Sequence, residues 1–80
     1  MNFREALAIK VNKLLKERSM SRYALSKKAG IHYSTLKNIL NRNDKSVSAS
    51  LVVLIAYGFD MSVSEFLNDP LFDYKNLDLD

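Results

Sequence analysis

The sequence has no cysteine, one histidine, two glycines and one proline among its 80 residues. Without cysteine, the chain has no disulfide, no cysteine-ligated zinc site and no Cys–His nucleophile pair. The scarcity of glycine and proline argues against a turn-rich β-sandwich. With 48% hydrophobic and 26% charged residues, the composition is that of one folded domain with a thin core.

Long apolar segments are missing as well. The longest apolar run, residues 51–59, is far shorter than the ~20 residues that a membrane-spanning helix needs. Charged residues interrupt the first 16 positions, so the uninterrupted apolar stretch of a signal peptide is not present there. We therefore expect a cytoplasmic protein without a membrane partner.

Charge is distributed unevenly along the chain. Residues 1–46 contain 11 Lys and Arg against 3 Asp and Glu, a net charge of +8, whereas residues 47–80 contain 1 against 6, a net charge of −5. This asymmetry favours a polyanionic partner for the basic half. The alternative is chance clustering on an ordinary solvated surface.

The spacing of apolar residues predicts five helices, over residues 2–18, 22–29, 33–41, 48–58 and 63–68. Asn2 with Glu5, and Ser62 with Glu65, form the capping-box pattern that begins a helix. We therefore expect an all-α, five-helix domain over residues 1–70. The acidic tail, residues 71–80, contains enough apolar residues for us to expect part of it to pack.

Residues 20–41 hold the most informative pattern. Ser21 is suited to cap a short helix that ends at Gly30, the apolar Ile31 follows, and another helix begins at about Tyr33. Two helices joined by a tight turn containing glycine form a helix-turn-helix arrangement. The second of these helices has an apolar side at Leu36 and leaves a polar side free.

With these motifs, the chain resembles the lambda-repressor-like helix-turn-helix family (Cro/repressor, XRE-type transcriptional regulators) over about residues 11–67. The matching pieces, in family order and spacing, are Met20-Ser21-x-x-x-Leu25-Ser26, Gly30-Ile31, Ser34-Thr35-Leu36 and Ile55-Ala56-x-x-Phe59-Asp60-Met61-Ser62-x-x-Glu65-Phe66. The resemblance implies a lambda-repressor-like fold whose helix-turn-helix consists of helices 2 and 3.

The resemblance also implies that helix 3 lies in the major groove of double-stranded DNA. Carried over residue by residue, the side chains that contact bases are Tyr33, Ser34, Lys37 and Asn38. Lys37 is suited to guanine and Asn38 to adenine. Contacts with backbone phosphates are expected from Arg22, Lys27, Thr35, Asn41 and Arg42. The plainer alternatives are that Lys37 and Asn38 are solvated surface and that Tyr33 packs against helix 2.

Three positions depart from the family pattern. Arg22 stands where glutamine is usual, and its guanidinium adds charge to a phosphate contact. Leu40 and Arg42 stand where many members have glutamate and glycine, so we expect a different turn after helix 3.

Helix 4 is apolar at two positions that are commonly polar in the family, Leu51 and Leu54, with Gly58 one turn further on. One hypothesis is a homodimer interface through these three residues, on a palindromic operator with recognition helices about 34 Å apart. The other is that the tail folds over the stripe through Leu71, Phe72, Tyr74 and Leu77.

The function predicted from these patterns is sequence-specific DNA binding by a small transcriptional regulator, a repressor that occludes polymerase. The alternative is a protein-interaction module on the same fold, an antitoxin-like or phage regulatory partner that uses Phe72 and Tyr74. The sequence has no paired carboxylates, phosphate loop or catalytic triad at suitable spacing. We therefore expect no enzymatic activity, cofactor, metal or small-molecule ligand.

Overall fold

The fold is known from a computed structural model that describes residues 1–41 and 47–78. These residues contain no strand and form five α-helices: α1 (Phe3–Glu17), α2 (Arg22–Ala29), α3 (Tyr33–Asn41), α4 (Ala49–Gly58) and α5 (Val63–Leu67). Two short 3-10 helices follow, η1 (Pro70–Phe72) and η2 (Tyr74–Asn76). The predicted all-α, five-helix fold is confirmed. None of the described helices is long and apolar enough to cross a bilayer.

Both capping boxes are present. The Asn2 side chain accepts a hydrogen bond from the Glu5 backbone N–H at 2.8 Å, and the Glu5 carboxylate accepts one from the Asn2 N–H at 2.9 Å. Ser62 and Glu65 make the same reciprocal pair at 3.1 and 2.9 Å. Each pair satisfies two backbone donors that a helix leaves free at its N-terminus. Local sequence thus determines where α1 and α5 begin.

The core combines side chains from every α-helix. Its largest fully buried members are Phe59, Phe66, Leu7, Leu25, Leu36, Ile55 and Val11. The rings of Phe59 and Phe66 stack with their centroids 6.4 Å apart. A single contiguous core of this kind lets very short helices persist, because isolated helices of such length are marginal in water.

Gly58 lies at the contact between α4 and α2. A Cβ atom at this position would stand 2.7 Å from Cδ1 of Leu25 and 3.0 Å from Cβ of Ala29. The missing side chain therefore permits the close approach of the two helices. This corrects the placement of Gly58 among the dimer-interface candidates, because the residue is buried and its side of the helix faces α2.

The tail packs over α1 and α5. The Phe72 ring lies 5.6 Å from that of Phe3 and 6.1 Å from that of Phe66, measured between centroids. Tyr74, in contrast, is 82% exposed. Leu54 keeps 37% of its surface exposed with the tail in place. The hypothesis that the tail covers helix 4 is therefore wrong for Leu54.

An ion pair anchors the chain just before the tail. Lys10 Nζ lies 3.0 Å from Asp69 Oδ2, and the two side chains are only 9% and 10% exposed. Asp69 Oδ1 also accepts a hydrogen bond from the Leu71 backbone N–H at 3.0 Å. The Leu71 N–H and then the Lys10 ammonium hold the pKa of the Asp69 carboxyl below its ordinary value.

Replacing Gly58 with alanine is expected to destabilise the fold. The added methyl group meets Leu25 and Ala29, both buried, and overpacking of this kind costs about 1–3 kcal/mol. The gain in helix propensity offsets about 0.5–1 kcal/mol of that. We expect urea unfolding of Gly58→Ala to show a lower free energy of unfolding than wild type, with Ser50→Ala on the exposed side of α4 as the control. A Gly58→Ala protein as stable as wild type would show that α4 and α2 are not in close contact.

Asp69→Asn is expected to lower stability and to flatten its pH dependence. Asparagine retains an acceptor for Leu71 but leaves the buried Lys10 ammonium without its counter-charge, a loss of about 1–3 kcal/mol at neutral pH. The folded-state pKa of Asp69 lies below the unfolded value of about 3.9. Its contribution is therefore fully present above the unfolded pKa and is lost as the pH falls through the folded pKa.

The measurement is the free energy of unfolding of wild type and Asp69→Asn between neutral pH and pH 2. The exposed Asp73→Asn, four residues further along the tail, is the control. Equal pH profiles for wild type and Asp69→Asn would contradict the role of the ion pair.

Candidate nucleic-acid interface

The turn between α2 and α3 is built as its sequence predicts. The Ser21 side chain accepts a hydrogen bond from the Ala24 backbone N–H at 3.0 Å and caps α2. Gly30 adopts the left-handed conformation, with φ of 73°, which glycine enters without a steric penalty. The buried Ile31 then donates its N–H to the Ser26 carbonyl at 3.0 Å. These contacts terminate α2 and direct the chain into α3.

One side of α3 is left open to solvent. Leu36 is fully buried, which fixes the rotation of the helix about its axis. The opposite side exposes all four predicted base-contacting residues, Tyr33, Ser34, Lys37 and Asn38. Two neighbouring residues, Tyr33 and Ser34, are followed four positions later by Lys37 and Asn38, and this spacing places all four along one face of the helix. This is the exposed polar face that a recognition helix requires.

The far end of α3 is held by α1 and α2. Arg4 on α1 is buried, and its guanidinium donates to the Ile39 carbonyl at 2.6 Å. Arg22 donates to the Asn41 side-chain oxygen at 3.1 Å and to that of Asn12 on α1 at 3.3 Å. A cation near the last carbonyls of a helix is favoured by the helix dipole. Both arginines thus contribute to the position of α3.

The predicted phosphate-contacting residues lie at several places around this face. Arg22 and Asn41 are brought together by their hydrogen bond, at the end of α3. Lys27 is exposed on α2, and Thr35 is half-buried on α3. Arg42 lies outside the described residues.

Sequence reasoning missed Tyr23. The residue is 54% exposed, and its ring forms an edge-to-face pair with that of Tyr33, with centroids 5.6 Å apart and an interplanar angle of 75°. The two rings border an open cleft together with Lys27 and His32. Tyr23 precedes Lys27 by four residues, and Tyr33 precedes Lys37 by four. That repeated spacing is the sequence signal for the cluster, since such residues meet on a helix surface.

Several cations outside the exposed face of α3 contact the second half of the chain. Besides the Lys10–Asp69 contact, Lys28 Nζ lies 3.1 Å from Asp60 Oδ2. The Arg18 guanidinium donates to the Phe59 carbonyl and lies 5.5 Å from the centroid of the Phe59 ring. Neither α2 nor α3 contains an Asp or Glu. Among the described residues, Lys27 on α2 and Lys37 on α3 lie within ion-pair distance of no carboxylate.

Helix α4 exposes a second surface, of apolar character. Leu51 is half-buried and packs against the core, whereas Leu54 is exposed. Val53 and Tyr57 join Leu54 on the exposed side. The predicted stripe is thus replaced by a face that contains Leu54 but excludes Gly58. The described part of the chain shows no cluster of acidic, histidine or cysteine side chains suited to a metal ion.

Comparison with known proteins identifies one family. The model of a family described as the Cro/C1-type HTH DNA-binding domain matches residues 10–70, a range that includes α2 to α5. Comparisons with curated proteins and with solved structures returned no match.

Proposed function

The chain belongs to the Cro/C1-type helix-turn-helix DNA-binding domain family, and from this membership we propose that it is a sequence-specific transcriptional repressor. In this proposal α3 enters the major groove, with Tyr33, Ser34, Lys37 and Asn38 facing base edges. The observation that carries it is the exposed polar face of α3, supported from beneath by the buried Leu36.

Flanking cations support the same docking mode. Arg22 stands where the end of α3 meets α1 and α2, and it is oriented by the side-chain oxygens of Asn12 and Asn41. Lys27 stands on α2 beside the beginning of α3. Phosphate contacts at both ends of a recognition helix determine its register on the duplex without reading sequence. We assign Arg22, Lys27, Thr35, Asn41 and Arg42 to such contacts.

Repression then requires only occupancy of an operator, because a bound protein excludes polymerase from the same DNA. For the operator we propose a palindrome bound by a homodimer, since a two-fold symmetric protein selects two symmetric half-sites. The exposed apolar face of α4, with Val53, Leu54 and Tyr57, supports the homodimer. A contiguous exposed apolar surface on a small domain is typical of an interaction site.

Lys37→Ala is expected to lower the affinity for the operator by about 1–3 kcal/mol and to relax the preference at one base pair. The operator is first obtained by selecting bound duplexes from a random pool, and affinity is then measured against single-base variants. Lys75→Ala, an exposed lysine of the tail, is the control. If Lys37→Ala retains both affinity and base preference, α3 is not the helix that recognises the base sequence.

Arg22→Ala is expected to act differently, because a phosphate contact carries no sequence information. It should weaken binding to all duplexes alike and reduce the slope of log affinity against log salt by about 1. A changed base preference with an unchanged salt slope would place Arg22 in the groove instead.

Leu54→Glu is expected to convert a dimer into a monomer, because a buried, unpaired carboxylate strongly disfavours an apolar interface. Light scattering at micromolar concentration measures the mass, and Tyr74→Glu, at an exposed position of the tail, is the control. A wild-type protein that is monomeric alone, and that selects a non-palindromic site, would contradict the homodimer.

A further inference from the structure

Two tyrosines and two lysines form a continuous row across α2 and α3, which we name the tyrosine–lysine row. Lys27 Nζ lies 5.2 Å from the centroid of the Tyr23 ring, and Lys37 Nζ lies 5.3 Å from that of Tyr33. The edge-to-face contact between Tyr23 and Tyr33 joins the two halves. Both ammonium–ring distances are within the range of cation–π attraction.

The two lysines of this row are held in a different way from Lys10 and Lys28. Those two lie beside the carboxylates of Asp69 and Asp60, which compensate their charge. An aromatic ring attracts an ammonium through its quadrupole and carries no net charge, so these ring contacts place no counter-charge beside Lys27 or Lys37. The row therefore orients two cations while leaving them available to a polyanion.

The Tyr33 ring is the link between the row and the recognition face. Tyr33 is 41% exposed, so burial alone leaves the orientation of its ring open, and the edge-to-face pair with Tyr23 supplies a contact from α2. Because Lys37 rests over Tyr33, any constraint on this ring also constrains the lysine. A side chain that is already ordered in the free protein loses less conformational entropy on binding. Its affinity is therefore higher for DNA that presents a partner at the position where the side chain is held.

We propose that Tyr23 is a positioning residue for base recognition: through its edge contact it orients Tyr33, and through Tyr33 it orients Lys37 toward its base. This inference rests on the proposed function and assigns to α2 a part in specificity. The partner is double-stranded DNA. Tyr23 acts through its ring and not through its hydroxyl, so phenylalanine at this position retains the effect and leucine does not.

The test compares Tyr23→Leu with Tyr23→Phe on the full chain, against the selected operator and its variant at the base pair where Lys37→Ala relaxes preference. Tyr23→Leu is expected to lose about 2- to 5-fold of the discrimination between these duplexes, the range that one exposed cation–π or aromatic contact supports. Tyr23→Phe should retain wild-type discrimination. Tyr74→Leu, an exposed tyrosine of the tail, is the matched control.

A second readout needs no DNA. Lys37 Nζ lies over the Tyr33 ring, so we expect the ring current of Tyr33 to shift the NMR resonance of the adjacent ε-methylene protons of Lys37 upfield. In Tyr23→Leu the resonance should move toward the value of a free lysine, while in Tyr23→Phe and Tyr74→Leu it should stay.

The outcomes separate the inference from the function on which it rests. Wild-type discrimination in Tyr23→Leu, or an unchanged Lys37 resonance, overturns the inference and leaves the proposed function intact. Equal losses in Tyr23→Leu and Tyr23→Phe overturn it too, because they assign the effect to the hydroxyl. Failure of the wild-type protein to select any duplex overturns the proposed function together with the inference.

Discussion

The close approach of α4 to α2 at Gly58 is the constraint on which the rest of the structure depends. Leu25 and Ala29 of α2 lie against this residue, so α2 is held on the core although it has only eight residues. A helix of that length has little stability of its own. The turn at Gly30 then sets where α3 leaves α2, and Arg4 holds the other end of α3. The exposed face of α3 is thus positioned by contacts that α2 and α3 make on their buried sides.

The fold also shows that part of the positive charge of the basic half is used within the protein itself. In the sequence, residues 1–46 carry a net charge of +8 and residues 47–80 one of −5. In the structure, Lys10 and Lys28 lie beside acidic residues from the second half, and Arg18 binds a backbone carbonyl. These cations stabilise the scaffold. Among the described residues, Arg22, Lys27 and Lys37 on α2 and α3 pair with no carboxylate, and neither helix contains an acidic residue.

The local sequence patterns predicted where the helices begin and end more accurately than they predicted which residues form each surface. The residues that begin and end α2 make their hydrogen bonds with neighbours a few positions away, so Ser21 and Gly30 are readable from sequence. Gly58 was wrongly assigned to the dimer interface because the apolar residues of α4 do not indicate which side of this helix contacts α2. Tyr23 was missed because its importance comes from Tyr33, a residue on another helix.

The sequence by itself determined the all-α class, the helix boundaries to within one residue, and the set of side chains on the exposed side of α3. It did so because capping and helical periodicity involve residues three or four positions apart. Only the tertiary structure decided which cations are compensated, that Gly58 is inside, and that α2 contributes an aromatic ring to the candidate interface. Each of these depends on contacts between residues far apart in the chain, such as Lys10 with Asp69 or Gly58 with Leu25. The angles and distances at which the helices cross determine those contacts, and no local sequence pattern specifies these angles and distances.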